Sequence, residues 1–336
     1  MTNFQHQKEC VYSFYQALNH ASGDAISDCL NAVVTSDYTW RGFHPFNELN
    51  GADAVATQFW QPLKQSLTSL QRRLDLFMAG ENAIAGHEGV WVASMGHLMG
   101  LFDSPWLGIP ATGKIAMLRY AEFHRVEGDR VAETAMYFDI PHLMMQVGLQ
   151  PFPPQTGAHL VQPGPVNHQG LMFDPQPPEE GKKTLAAIDY MINDIKTWKG
   201  GREEPLVEEL RRSWNEDMIW WGPAGIGATY TIERYAEQHS GPFRAGFKDR
   251  IFNGHICRMA EGHFGGFFGW PNLTLTPTGG FMGMPASETP GDMRVIDIYR
   301  REGDKLTENW IFIDLLHFWK MQGVDILERM TQVPRT

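Results

Sequence analysis

Two acids, Glu122 and Asp297, hold matching positions in the two halves of this sequence, and with the histidines His97 and His263 they are side chains of types that move protons. The acids share a setting, because each stands three residues after an arginine, Arg119 or Arg294. Laying the chain over itself so that Glu122 meets Asp297 also carries Gly108, Pro110, Ala111, Arg125, Gly128, Glu133, Asp139 and His142 onto Gly283, Pro285, Ala286, Arg300, Gly303, Glu308, Asp314 and His317. A carboxylate in apolar surroundings can act as a general base, and a nearby imidazole can orient it or donate to a substrate oxygen.

The elements that must position these groups occur twice. In the first half, Phe4, Val11, Phe14, Tyr15 and Leu18 fall at helical spacing, and Asp24 is placed to cap a short helix containing Ile26 and Leu30. A third helix is expected over Ala52–Leu70, kinked at Pro62. Strands are then expected at Leu74–Met78, Gly89–Leu101, Ile115–Val126 and Val131–Asp139, with Glu127-Gly128-Asp129 as a hairpin turn. The second half repeats the order, with helices carrying Leu185 to Trp198, Leu206 to Trp214 and Ile232 to His239, followed by strands and the turn Glu302-Gly303-Asp304. This predicts an α+β chain of two domains, 1–150 and 181–336. Between them, 151–180 holds eight of the 21 prolines and reads as a linker, laid down against the domains because Phe152, Leu160, Val161, Met172 and Phe173 are poorly suited to water.

The formal net charge of -11 argues against nucleic acid or an anionic lipid surface as partner. No run approaches the roughly 20 apolar residues that span a bilayer, and no secretion signal is evident, so a cytoplasmic protein is expected. The three cysteines lack paired spacing, and the 13 histidines show neither HxxxH nor HExxH, so no metal is expected. The 20 Phe, 11 Trp and 17 Met are suited to lining a cavity for a small hydrophobic molecule.

Gly96-His97-Leu98-Met99-Gly100 followed by Gly108-Ile109-Pro110-Ala111-Thr112-Gly113, and the closing stretch Glu133 to Gly148, resemble the SnoaL-like polyketide cyclases of the nuclear transport factor two-like superfamily. Gly262-His263, Gly283-Met284-Pro285-Ala286 and Glu308 to Gly323 resemble the same pattern again. The resemblance implies two tandem cone-shaped domains, each a curved antiparallel sheet closed by helices and paired with one another, with a further homodimer left open. It also implies acid–base chemistry that needs no cofactor. The family's catalytic aspartate position falls on Met136 and Ile311, neither of which can move a proton, while a second polar pocket position falls on Glu122 and Asp297.

Glu122 and Asp297 are therefore the candidate bases, with His97 and His263 assisting. Tyr120 shares the face of Glu122, and Trp40, His44 and Trp220 stand where the family places the mouth of the cone, so these residues with Met136 and Ile311 form the expected ligand lining. Asp139 with His142, and Asp314 with His317, read as helix caps. Two functions follow: a cyclase, isomerase or hydratase acting on a small hydrophobic carbonyl compound, or a binding protein whose two cones lack a working base.

Overall fold

The computed structural model of the chain describes residues 4–158, 163–165, 167–199, 201 and 203–332. Two compact units divide it, one of Thr2–Pro151 and Pro163–Pro175 with Val324–Thr336, the other of Phe152–Gln162 with Gln176–Gly323. The proline-rich stretch is thus shared: Met172 N donates to Phe77 O at 2.9 Å in the first unit, and Ala158 N to Ala228 O at 2.7 Å in the second. Phe152 and Met172 are buried, Phe173 rests edge-on to Tyr12, and Leu160 and Val161 lie outside the described residues.

The first domain opens with α1 (Gln5–His20) and α2 (Ala25–Val33). Val11, Phe14, Tyr15 and Leu18 face inward from α1, as their spacing requires. Asp24 precedes α2, but its side chain makes no capping bond. The strands β1 (Val34–Gly42) and β2 (Glu48–Asn50) follow, where the sequence had suggested only rim residues. The expected long helix is three short pieces, α3 (Ala52–Val55), a π turn (Ala56–Trp60) and α4 (Gln61–Ser66), and Leu67 already begins β3 (Leu67–Glu81). Pro62 explains the π turn, since its ring crowds the carbonyl four residues back and a wider turn relieves that contact. Then come β4 (Val90–Phe102), β5 (Ile115–Glu127), β6 (Arg130–Phe138) and α5 (Ile140–Gln146).

The strand order is β2-β1-β6-β5-β4-β3. All pairs are antiparallel except β1 with β6, so the sheet is mixed rather than purely antiparallel. A register shift in β3 between Leu74 and Leu76 bends the sheet. Gly128 has φ 55 in the turn from β5 to β6, a left-handed conformation that favours glycine.

The second domain runs α6 (Pro178–Ile195), α7 (Leu206–Ser213), β7 (Trp214–Trp221), β8 (Ala228–Tyr230), α8 (Thr231–Tyr235), a π turn (Ala236–Ser240) and α9 (Gly241–Ala245). It continues with β9 (Phe247–Phe252), β10 (Cys257–Glu261), β11 (Phe264–Pro277), a 3-10 turn (Phe281–Gly283), β12 (Gly291–Glu302), β13 (Lys305–Ile313) and α10 (Leu315–Met321), and α11 (Ile326–Gln332) follows in the chain. Its π turn again ends two residues before a proline, Pro242. The path β8-β7-β13-β12-β11 matches β2-β1-β6-β5-β4, including a parallel β7–β13 pair. The place of β3 is taken by two strands on β11, β9 along its C-terminal part and β10 along its N-terminal part. Among the described residues no helix is long and apolar enough to cross a membrane.

Both closing helices are capped as their sequence implies, Asp139 accepting from His142 N at 3.0 Å and Asp314 from His317 N at 3.2 Å. In β1 and β7 a tryptophan folds back over a glycine two residues on, so a Cβ at Gly42 or Gly222 would collide with the indole of Trp40 or Trp220. Gly222→Ala is expected to displace Trp220 and cost ~1–3 kcal/mol of stability, as overpacking does. Urea unfolding of the variant checks this, and an unchanged midpoint refutes it.

Candidate functional site

The central strand of each sheet carries an acid facing the interior. Glu122 on β5 stands between Ser94 and Met136, and Asp297 on β12 between Phe267 and Ile311. Directly paired residues share a face, so the register turns the acids and the positions Met136 and Ile311 the same way. Both acids are buried, Glu122 at 1% exposure and Asp297 at 7%.

Their partners differ. Glu122 receives Arg72 Nη1 at 2.8 Å, Tyr15 Oη at 2.8 Å and His124 Nε2 at 2.7 Å, and His124 Nδ1 continues to Thr134 Oγ1 at 2.9 Å. The guanidinium of Arg72 is itself sandwiched, 3.9 Å from the Tyr15 ring and 4.5 Å from the Tyr120 ring. Burial alone would raise the Glu122 carboxyl, but Arg72 and His124 outweigh it and hold it at about 2. A carboxylate this strongly held in its charged form is a poor proton acceptor.

Asp297 forms no ion pair among the described residues. It accepts Asn309 Nδ2 at 2.9 Å. Burial pushes its carboxyl up to about 7, and hydrogen bonds from Asn309 and Tyr299 offset only part of that rise. The register explains the missing cation. Arg72 pairs with Leu98 and through it Leu118, whereas the same rung of the second sheet runs Phe252, Leu273, Met293. A phenyl ring, 37% exposed at the end of β9, therefore stands where the first domain has its cation.

Three further exchanges hollow the second interior. The pair Tyr120–Phe138 becomes Val295–Ile313, and the last residue of the π turn changes from Trp60 to Ser240. In the first domain Phe59 packs on Phe138 with ring centres 5.1 Å apart and on Trp40 at 4.9 Å. In the second, a cavity of about 170 Å³ is lined by Asp297, Tyr299, Asn309, Tyr235, His239, Trp220, Trp214, Phe267, Asn272, Met293, Val295 and Ile311. His239 stacks on Trp220 at 3.9 Å, and burial lowers its imidazole to about 3, so it is neutral at physiological pH.

The structure thus brings Asp297, Ile311 and Trp220 to one cavity, and Glu122, Tyr120 and Met136 to one packed interior. Trp40 lies in the first core against Phe59, and His44 is buried in the loop after β1. Neither histidine reaches its candidate acid, Glu122 or Asp297. His97 is an odd number of residues from Ser94, so it points to the opposite face of β4, where Nδ1 meets Asp75 Oδ2 at 3.0 Å. His263 is in the turn before β11, its side chain 56% exposed and 3.8 Å from Glu180. Its backbone meets Arg301, so it sits at the far end of the strand from the position of His97, which pairs with Arg119. The arginines beside the acids face away, Arg119 beside the charge of Asp139 and Arg294 3.5 Å from Asp314.

Sequence reasoning missed His124 and Tyr299, each two residues beyond its acid and so on the same face of the strand, a signal that was available. It also missed Arg72, Tyr15 and His239, which arrive from distant elements and leave no local trace.

No known family's sequence profile matches the chain, and no curated protein matches it. Solved structures similar to it include a protein assigned as a SnoaL-like polyketide cyclase from Jannaschia sp. CCS1, at 18% identity over 45% of this chain and 94% of that one, with TM-score 0.33. A protein assigned as an isomerase from Rhodopseudomonas palustris is 17% identical over 44% and 100%, TM-score 0.31. An NTF2-like protein from Burkholderia thailandensis E264 is 18% identical over 42% and 96%, TM-score 0.32.

The two acids should affect stability in opposite ways. Arg72→Met leaves the Glu122 charge buried and unpaired and is expected to cost about 3–5 kcal/mol at pH 7. Asp297 has a folded value above its unfolded one, so its contribution to stability is full in acid and is lost as pH rises toward and through 7. Asp297→Asn should therefore stabilise the second domain, by at most about 4 kcal/mol at pH 8 and by less at pH 5. Urea titrations at both pH values test the pair, and a gain that is larger at pH 5 contradicts the assignment.

Proposed function

We propose that the second domain is an acid–base enzyme of the isomerase or cyclase type that acts on a carbonyl compound, with Asp297 as the base. The observation that carries this reading is a buried acid without a cationic partner, half-ionised near neutral pH, lining an open cavity. In the ionised form the carboxylate removes a proton from carbon adjacent to the carbonyl, and the electron pair moves onto the oxygen as an enolate. In a conjugated enolate, return of the proton from Asp297 to the far carbon completes an isomerisation; in a cyclisation the enolate carbon attacks a second carbonyl, and the alkoxide so formed takes the proton back from Asp297. Hydrogen bonds from Asn309 and Tyr299 hold the carboxylate in place on the wall of the cavity, where a substrate proton can reach it.

Glu122 has no such role in this reading. Its pairing with Arg72 and the packing of Phe59 on Phe138 support a structural first domain in which the acid and the cation neutralise one another.

Exchange of the α-protons of 2-tetralone in D2O, followed by NMR, tests the proposal without knowledge of the natural substrate. The second-order rate should rise about tenfold per pH unit below 7 and level off above it, because the base must be deprotonated. Asp297→Asn should lower it by about 10² to 10⁴, while Glu122→Gln, if folded, leaves it within about twofold. Exchange by Asp297→Asn at the original rate would remove Asp297 from the mechanism.

A further inference from the structure

Among the described residues, three side-chain nitrogens around the Asp297 cavity have no hydrogen-bond partner: Nδ1 of His239, Nδ1 of His255 and Nδ2 of Asn272. A buried polar atom left unpaired costs about 1–3 kcal/mol, so such atoms around a hollow mark where a ligand can supply what the chain does not. Asn272 already uses its Oδ1 to accept from Val295 N at 2.8 Å, which ties it to the sheet. His255 lies flat against Phe267 with ring centres 4.0 Å apart.

His239 is set apart by what the first domain has in its place. It is the fourth residue of the five-residue π turn, and the fourth residue of the first domain's π turn is Phe59. Both rings lie on a tryptophan of the same rung, since Trp40 pairs with Thr134 and Trp220 with Asn309. One position therefore carries a phenyl ring where the interior is filled and an imidazole where it is hollow. Packing alone is met by either ring, so the added nitrogen points to an atom in the hollow.

We propose that His239 anchors the ligand by donating from Nδ1 to its carbonyl oxygen, and that the ligand is an uncharged ketone of one or two fused rings. This rests on the acid–base reading of the same cavity and adds the substrate class to it. Size supports the ring count, because an apolar cavity of about 150 Å³ holds benzene and this one measures about 170 Å³ with part of its wall open. The flat faces of Trp220 and Phe267 suit a ring system. Charge supports neutrality. Arg244 is paired with Glu209, Arg250 donates to the carbonyls of Ile195 and Lys196 and lies over Trp198 at 4.2 Å, and Lys196 is exposed. An anionic group would meet Asp297 with no cation committed to it. A neutral imidazole also donates without adding a charge that would pull the Asp297 carboxyl back down.

Binding of 2-tetralone and of tetralin, the same skeleton without the oxygen, tests this by calorimetry on the full chain. The wild-type protein should bind both and prefer the ketone. His239→Phe, which installs the first domain's own residue, should bind tetralin as before and lose about 3- to 10-fold in affinity for 2-tetralone, the worth of one hydrogen bond. Equal wild-type affinities, a ketone preference that survives in His239→Phe, or binding of neither compound would overturn the proposal. In the wild-type chain labelled with 15N-histidine, an imidazole N–H protected from exchange by 2-tetralone and not by tetralin gives the same answer without a substitution, and its absence counts against the anchor. Binding is read without turnover, so the two readings fail separately. If Asp297 is not the base, exchange survives Asp297→Asn; if His239 is not the anchor, the ketone preference survives His239→Phe.

Discussion

A carboxylate enclosed by a curved sheet must either find a cation or give up its charge, because the interior cannot solvate it. Each domain carries such an acid on its central strand and answers the constraint differently. In the first, β3 delivers Arg72 to Glu122, two aromatic rings hold the guanidinium between them, and Tyr15 and His124 complete the coordination. In the second, the rung that would carry the arginine carries Phe252, and Asp297 is left with the uncharged partners Asn309 and Tyr299 and a raised affinity for protons. Proton-transfer chemistry becomes available at the second acid because the first solution is missing there.

The hollow and the unpaired acid have a common origin. A buried ion pair demands close packing, since any water admitted beside it would weaken the attraction, and the first interior is accordingly filled by Trp60, Tyr120 and Phe138. Where those become Ser240, Val295 and Ile313, the space that opens is apolar on most sides, and it is this lining that keeps the Asp297 carboxyl near neutrality. Replacement of one continuous β3 by the separate strands β9 and β10 leaves that wall of the second sheet interrupted, and His255 from the interruption faces the cavity.

Local signals in the sequence carried well into the fold. Apolar spacing along α1 and the glycine turns at Gly128 and Gly303 are short-range features whose geometry follows from a few neighbouring residues. The same holds for Asp139 and Asp314 as caps. The helix expected to reach Leu70 stops at Ser66 because apolar residues at helical spacing there also satisfy a strand, and pairing of Leu67 with Phe102 decides between them. The parallel strands β1 and β7 escaped for the opposite reason: each is held by β6 or β13 from the far end of its domain.

Two similar α+β segments in succession, each with an acid at the same point of its next-to-last strand, are legible in the sequence, because alternation along a strand and turn chemistry are encoded within a few residues. The sequence also identified Met136 and Ile311 as positions unable to move a proton. Which acid is neutralised and which is left able to titrate is set by long-range packing, since Arg72, Tyr15 and Phe252 reach the interior from elements remote in the chain. The histidines separated in the same way: His97 meets Asp75 and the half-exposed His263 lies near Glu180, while His239, which carried no functional signal in the sequence, is brought to the cavity by a π turn packed against Trp220. A side chain's chemistry depends on the field around it, and that field is assembled by long-range packing.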